Sequence, residues 1–391
     1  LEKDHLGSEN PITLHTMNNL AEAYRNKGKL EEAMALHEET LKLRTARLGQ
    51  KHPDTLISMN NLASAYAEIG KLDLAVPLHE KTLKLRQIRL GHDHPDTLIS
   101  MNNLAVAYDE DNKPELALPL FEETLKFRKI QLGQDHELTL LTMGNLAQCY
   151  VHTGKLDLAV QLFDETIKLR KGRLGLNDPD TYSLMNNLAQ AYITIGKPDL
   201  AVSLHEKVLK FRADRLGHED PGTLRSLNNL AVACCLAKQG EKAVPLFAEW
   251  IGIRRKVAKM DDPIFARQLA QVSLVLLNAN QYSASEIYLR ECLTILKKSE
   301  PDLWFTFHTE SMLGQCLLAQ KDYTHAKELL FLGYKGMKAR EKNIPLERRA
   351  YLNDALDRLI LFHVETNQPE EAAKLHKLRI SEVAPTPHSV K

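Results

Sequence analysis

The sequence lacks an excess of charge of either sign, because lysine plus arginine and aspartate plus glutamate each number 51 among its 391 residues. A balanced charge provides no general attraction to nucleic acid or to anionic membranes. The sequence also lacks an apolar run of membrane-spanning length, and no signal-peptide pattern stands at its beginning. We therefore expect a cytoplasmic protein that binds neither nucleic acid nor a membrane.

Cysteine is scarce, and the motifs of catalysis are missing. The five cysteines follow no paired metal-binding spacing, and several fall at apolar positions, which predicts buried free thiols in a reducing compartment. No phosphate-cradling glycine loop, nucleophile elbow, zinc-binding histidine pair or kinase catalytic-loop string occurs in the sequence. The sequence thus predicts a non-enzymatic segment that needs no metal or cofactor.

What the sequence does contain is an internal repeat of 42 residues. Asparagine, alanine and arginine each recur six times at that step, and a repeat of this length is typical of solenoid proteins. The asparagine row is Asn19, Asn61, Asn103, Asn145, Asn187 and Asn229; the alanine row is Ala33, Ala75, Ala117, Ala159, Ala201 and Ala243; the arginine row is Arg44, Arg86, Arg128, Arg170, Arg212 and Arg254.

Each repeat predicts two antiparallel helices. In the second repeat, apolar residues at three- and four-residue steps form one stripe over residues 56–66 and another over residues 72–85. A capping residue and a proline open the first helix, as at His52-Pro53, and a glycine ends the second, as at Gly91. One hairpin cannot bury both stripes, but stacked hairpins can. The predicted fold is all-α, a right-handed α-solenoid superhelix of antiparallel hairpins.

Two local features of the repeat lead to further expectations. Asn112 replaces the glycine of the turn inside the hairpin, which predicts a positive φ at that position. Pro77, Pro119 and Pro245 fall inside the second helix of their hairpins, where we expect a shallow kink and not a break.

The repeat divides the chain into four parts. Residues 1–9 match the end of a preceding repeat, so we expect further chain upstream. Residues 10–260 hold six regular units, and residues 261–380 hold three degenerate units that end in a polar cap. Residues 381–391 are expected to form a flexible tail.

The repeat resembles the tetratricopeptide repeat (TPR), in the 42-residue form found in kinesin light chains. In the second unit the matching residues are Asn60-Asn61-Leu62-Ala63, Tyr66, Gly70-Lys71, Ala75, Leu83, Leu90-Gly91 and His94-Pro95-Asp96-Thr97. Residues 71–78 and 123–129 resemble the arrays attached to bacterial serine/threonine kinases most. The resemblance implies a protein-binding superhelix without catalysis, although the basic groove of light chains and their heptad-repeat segment are not evident here.

The candidate site follows from the face of the first helix that points away from its core stripe. In a stacked array this face lines a concave groove, where a ladder of amides can hold the backbone of an extended peptide. The same asparagines could instead bond neighbouring helices and hold the superhelix together. The candidate groove residues are Asn19, Asn61, Asn103, Asn145, Asn187, Asn229, Glu68, Glu110, Gln148 and Gln190.

Two other rows also invite a functional interpretation. The arginine row could bind phosphates, but cations in the last turns of a helix complement its dipole, and Glu38 and Glu80 lie within pairing distance. His52, His94 and His136 are one repeat apart, on the order of 10 Å, which is too far for one metal ion. We interpret these histidines as helix caps.

Together these features predict a non-catalytic scaffold that binds a protein or an extended peptide. The resemblance favours the interaction or regulatory region of a larger signalling protein such as a serine/threonine kinase. A kinesin-light-chain-like cargo adaptor and a nucleic-acid-binding solenoid are the alternatives, and an enzyme would need a composite site of His152, Gln148 and Glu110. Glutamates in the first half of the groove predict a neutral or basic ligand with one or two apolar anchors. The oligomeric state is left open.

Overall fold

In a computed structural model of the protein, the residues described are 7, 9–175, 177–259 and 261–378. They form eighteen α-helices and no strand, which confirms the predicted all-α fold. Two compact units divide the chain, Leu1–Ile195 and Gly196–Lys391. The expected repeat remnant at residues 1–9 lies almost wholly outside the described residues, and the expected tail at 381–391 lies entirely outside them.

The first unit holds nine helices in which consecutive helices pack side by side. Turns of three residues inside a hairpin alternate with links of four residues between hairpins. Such short connections make neighbouring helices antiparallel. The helices are α1 (Pro11–Asn26), α2 (Leu30–Leu48), α3 (Pro53–Glu68), α4 (Leu72–Leu90), α5 (Pro95–Glu110), α6 (Pro114–Leu132), α7 (Glu137–His152), α8 (Leu156–Leu174) and α9 (Pro179–Thr194).

The second unit holds the other nine helices, with two short 3-10 turns at Glu341–Asn343 and Leu346–Arg348. Its later helices differ in length and core from the regular repeat: Trp304, Met337, Ile344 and Leu352 form one apolar cluster around the 3-10 turns. The helices are α10 (Pro198–Leu216), α11 (Pro221–Leu236), α12 (Gly240–Val257), α13 (Pro263–Asn278), α14 (Tyr282–Ser299), α15 (Trp304–Ala319), α16 (Tyr323–Ala339), α17 (Ala350–Glu365) and α18 (Pro369–His376).

The helix ends form as their residues predict. The Nδ1 atoms of His52, His94 and His136 accept the backbone N–H two residues on, at 3.1–3.2 Å, so these histidines are helix caps. Asn112 has φ 57°, as expected for the turn inside the hairpin. At the same repeat position Lys238 has φ 58°, a conformation that costs a side chain with a Cβ roughly 1–2 kcal/mol.

The prolines inside the second helices do not interrupt them. Pro77 lies within α4, Pro119 within α6 and Pro245 within α12, and each helix continues past its proline as one element. The prediction of no break is therefore confirmed.

The arginine row links consecutive hairpins, and this differs from the expected pairing with glutamates. Arg86 is 4% exposed and donates from Nη1 to the carbonyl of Asp96 at 2.7 Å and to Ser100 Oγ at 2.9 Å. Arg44, Arg128 and Arg212 make the equivalent pair of bonds to the helix that follows. We call each such arrangement an arginine clip, and it supplies the neighbouring-hairpin contact on which solenoid stability depends.

The glutamates proposed as partners of the arginines are bound by tyrosines instead. Tyr66 donates its hydroxyl to Glu38 at 2.7 Å, and Tyr108 donates to Glu80 at 2.5 Å. Sequence spacing placed arginine and glutamate on one helix, but the arginine side chain extends across to the next hairpin. With Arg44, Arg86, Arg128 and Arg170 buried, this row forms no exposed basic stripe.

One core position of the second helix is histidine in three hairpins and phenylalanine in the other three regular ones. Each of these six side chains is at most 1% exposed. Burial lowers the pKa of His79 to about 4, with the nearby charge of Arg86 acting in the same direction. Burial also lowers the pKa of His205 to about 4. This row is His37, His79, Phe121, Phe163, His205 and Phe247.

Candidate functional site

The predicted asparagines lie on one face of the first helix of each hairpin. Asn19 is exposed and the other five are partly buried. Asn61 donates from Nδ2 to Asn18 Oδ1 at 3.2 Å, and Asn103 donates to Asn60 Oδ1 at 3.3 Å. In α1, α3 and α5 the amides therefore join neighbouring helices, as the structural alternative expects. Asn61 and Asn103 themselves stay partly exposed.

Several polar contacts between neighbouring first helices join residues 43 apart, one more than the repeat. Asn18 meets Asn61 at this offset, and Asp109 meets His152 at the same offset. For these pairs the offset identifies which side chains of adjacent helices come together. Periodicity within a single stripe does not reveal Asp109.

Gly144 interrupts the buried asparagine row of Asn18, Asn60 and Asn102. A Cβ at Gly144 would lie 2.8 Å from Cδ2 of Leu184, so the glycine leaves the space that the Leu184 side chain of α9 occupies. Leu184 in turn replaces the hydroxyl residue that other arginine clips use. Two compensating changes therefore alter the contact between α7 and α9.

The arginine clip between α8 and α9 bonds carboxylates instead of a hydroxyl group. Arg170 donates from Nε to Asp178 at 2.8 Å and from Nη2 to Asp180 at 2.9 Å. These bonds to Arg170 and Thr181 outweigh the effect of burial and lower the pKa of Asp178 to about 2.

Glutamates on α1 and α3 are partly neutralised. Arg25 lies 2.9 Å from Glu22 and 3.5 Å from Glu68. The imidazole of His37 approaches the Glu22 carboxylate at 3.2 Å, and this contact lowers the pKa of Glu22, with Arg25 contributing further. Arg25 thus offsets part of the negative charge at this end of the face.

The face becomes more acidic at α5. Burial raises the pKa of Glu110, and the charges of Asp109 and Glu68 raise it further. Among the described residues, no cation forms an ion pair with Glu110. Glu68, Asp109 and Glu110 therefore form a carboxylate cluster with a local excess of negative charge.

On α7, the two ring nitrogens of His152 have partners. Nδ1 lies 2.9 Å from Asp109, and Nε2 lies 2.9 Å from the amide of Gln148. The bond to Asp109 raises the pKa of His152 despite its partial burial. The sequence-predicted Gln148 thus meets the acidic cluster through His152, while Gln190 is exposed on α9 and Asn229 lies in the second unit, on α11.

The face holds no reactive thiol. Cys149 is buried beside Asp109, and burial raises its pKa to about 12, so it stays protonated at neutral pH. All five cysteines are free thiols, and four of them are buried. In the described part of the chain no cluster of side chains is arranged to hold a metal ion. None of the described helices is both long and apolar enough to cross a bilayer.

Family comparison agrees with this geometry. A tetratricopeptide repeat model matches residues 12–88, 70–130 and 180–256, and a second tetratricopeptide repeat model matches residues 139–180. Together these matches cover more than half of the chain. The chain therefore belongs to the tetratricopeptide repeat family, whose members generally bind proteins or peptides.

Solved structures show the same fold. The quorum sensor NprR from B. thuringiensis, in its apo form, matches with a TM-score of 0.54 and 17% identity over 83% of this chain and 88% of its own. BtubC (BKLC) from P. vanneervenii matches with a TM-score of 0.50 and 22% identity over 58% of this chain and 91% of its own.

A third structure holds the nearly identical TPR-like repeats of a protein named as a kinesin light chain in Podosopora anserina. It has 28% identity and a TM-score of 0.48, over 53% of this chain and 99% of its own. No curated protein matched the chain.

Proposed function

We propose that the face formed by α3, α5 and α7 binds an extended peptide segment of a partner protein, and that the segment is neutral or basic. The carboxylate cluster of Glu68, Asp109 and Glu110 is the observation that carries this proposal. A lysine or arginine side chain of the ligand would supply the cation that Glu110 lacks among the described residues. Bonds between a cation and a carboxylate are about twice as strong as bonds between neutral groups.

The asparagine row would hold the ligand backbone. Asn61 and Asn103 each use one Nδ2 hydrogen on a neighbouring helix, which leaves the carbonyl oxygen and the second hydrogen of each amide. An amide that is already fixed by one bond presents these groups without further loss of side-chain entropy. The structural and ligand-binding roles of the asparagines are therefore compatible.

In the cell, we propose that this binding face serves a larger signalling protein, such as a serine/threonine kinase, because the repeats resemble arrays attached to such kinases. The five free thiols favour a reducing compartment such as the cytoplasm. Recovery of the full-length transcript would test the kinase link directly, since a kinase catalytic segment is recognisable by its motifs.

Charge reversal in the ligand tests the binding face. Fluorescence anisotropy should show that a library of basic peptides binds more tightly than an otherwise equal acidic library, with the difference shrinking as salt rises. The E68Q/E110Q variant should lose most of the basic preference. E123Q, which neutralises an exposed glutamate on α6, is the matched control and should bind as the parent does.

The amide ladder has its own test. N103A/N145A/N187A should lose peptide binding of every charge type while its melting temperature changes little. Unfolding of this variant would assign the asparagines to the superhelix alone. Preference of the parent for acidic peptides would contradict the proposed ligand class.

A further inference from the structure

The second unit contains a cavity of about 550 Å³ between α11, α12 and α13. Phe247, Trp250, Val272 and Val275 contribute apolar surface to it. Cavities of about 300–1,000 Å³ are the usual size of small-molecule sites. This cavity belongs to the second unit, and the carboxylate cluster belongs to the first.

The cavity lies where the arginine clip changes. At the preceding clip, Arg212 reaches Ser226 Oγ at 2.8 Å and a backbone carbonyl of α11. One repeat later, Arg254 instead meets Oε1 of Gln268, at 3.1 Å. Arg254 thus meets α13 through a glutamine and from Nε, whereas Arg212 uses Nη1 and a serine, so the joint between α12 and α13 differs from the regular clip.

The link between these helices also departs from the repeat. Regular links have four residues and a leucine-glycine stop, as at Leu90-Gly91. Five residues, 258–262, separate α12 from α13, and Ala258-Lys259 stands at the repeat position of the leucine-glycine stop. The cavity thus coincides with a changed link and a changed clip.

The charges around the cavity are positive on balance. Its described lining includes one carboxylate, Glu219, which pairs with Lys256 at 2.8 Å. Arg225 and Arg254 remain, and the Arg254 guanidinium lies 6.0 Å from the Trp250 ring centre. Arg254 uses Nε on Gln268, so its terminal nitrogens keep donors for a ligand.

We propose that this cavity binds a small organic acid, with an aromatic or branched apolar body and a single carboxylate. The body would pack against Trp250 and Val275, and the carboxylate would meet the guanidinium groups of Arg254 and Arg225. Guanidinium groups match carboxylates in geometry as well as in charge. A free acid of this kind is small enough to lie within a cavity of about 550 Å³ between the three helices.

Trp250 reports binding directly. Trp250 and Trp304 are the two tryptophans of the sequence, so W304F leaves the cavity tryptophan as the single emitter. Titration of W304F with 5-phenylvalerate should give saturable quenching. The neutral isostere 5-phenylpentanol should bind about tenfold more weakly, since it lacks the charged group that the arginines bind.

Variants locate the site. V275W fills the cavity and should abolish binding of 5-phenylvalerate in ligand-observed NMR, and R254M should weaken 5-phenylvalerate about tenfold or more without weakening the alcohol. R255M is the matched control, because Arg255 is the next residue of α12 and pairs with Glu291 at 2.7 Å instead of lining the cavity. It should leave both affinities unchanged. R254M and V275W should both keep the circular-dichroism spectrum of the parent. Weaker binding in ligand-observed NMR would then not be caused by unfolding.

Several results would overturn the proposal. They are the absence of saturable binding of 5-phenylvalerate at millimolar concentration, equal binding of acid and alcohol, and binding of the acid that survives V275W. Binding of a phenylalanine-aspartate peptide, but not of the free acid, would assign the cavity to a peptide side chain and reject the small-molecule ligand.

Discussion

Replacing His79 with phenylalanine should make the first unit less sensitive to acid. His79 is 1% exposed, and its Nδ1 has no hydrogen-bond partner. Phenylalanine already occupies the same repeat position at Phe121 and Phe163, each fully buried. The substitution therefore removes a titratable group while placing in the core a side chain that the repeat accommodates elsewhere.

The magnitude follows from the pKa. His79 has a pKa of about 4 in the folded protein, against 6.5 for an unperturbed histidine. Between these values the unfolded chain binds the proton and the folded chain does not, so stability is full above pH 6.5 and is lost as the pH falls towards 4. From pH 7.5 to pH 5 the loss is about 2 kcal/mol. For a unit of this size that corresponds to about 4–8 °C in melting temperature.

The assay is thermal and urea unfolding of the parent and H79F at pH 7.5 and at pH 5. At pH 7.5 the two should agree within about 1 kcal/mol, because a buried neutral histidine is replaced by a ring of similar shape. At pH 5 H79F should be the more stable by about 2 kcal/mol. H92F changes an exposed histidine and controls for the general effect of removing one imidazole. If H79F and the parent lost equal stability on acidification, the buried-histidine reasoning would be refuted.

Three further predictions concern the joints of the solenoid. R128M removes a 2%-exposed guanidinium that bonds Leu138 and Thr142, and it should cost roughly 2–3 kcal/mol in urea unfolding; a neutral result would show that the arginine clip adds no stability. K238G relieves a positive φ and should raise stability by about 1 kcal/mol, whereas K242G, in the body of α12, should lower it by about as much. G144N should destabilise through contact with Leu184, and adding L184S should recover about 1 kcal/mol or more; strictly additive effects in this double-mutant cycle would contradict the proposed compensation.

Much of the fold was predictable because its rules are local. The 42-residue step, the capping residues and the glycine stops each act within a few residues, and the helices begin and end accordingly. The positive φ of Asn112 is an example, since steric limits at one residue decide it. Family resemblance and local chemistry pointed to the same architecture.

Contacts between hairpins were harder to predict. The arginine row was expected to pair with glutamates on its own helix, but Arg86 bonds Asp96 and Ser100 of the next hairpin. The direction in which a long side chain leaves its helix depends on the packing of its neighbour, which periodicity does not encode. Asp109 was missed for the same reason, although the 43-residue offset would have paired it with His152.

The sequence predicted which residues share the face of the candidate site, but it did not predict how their charges pair. Glu68 and Glu110 were predicted to lie on one face. In the structure the charge of Glu68 raises the pKa of Glu110, so the two carboxyl groups are near each other. The neutralising role of Arg25 on α1 depends on distances that sequence alone does not give. The cavity beside α12 and α13 lies where the link and the arginine clip depart from the repeat, so the repeat pattern alone does not predict it.

The 42-residue step makes neighbouring hairpins of the same sequence interchangeable at the level of the gene. Residues 53–63 and 95–105 are the same eleven residues, PDTLISMNNLA, at the start of α3 and α5. Loss of residues 53–94 would carry Asn103 into the place of Asn61, opposite Asn18, and would rebuild the joint from the same side chains. Recombination between such identical stretches would change the copy number by whole hairpins and leave no half-formed interface. The length of the array can therefore evolve in discrete steps while each contact between neighbours stays as it was.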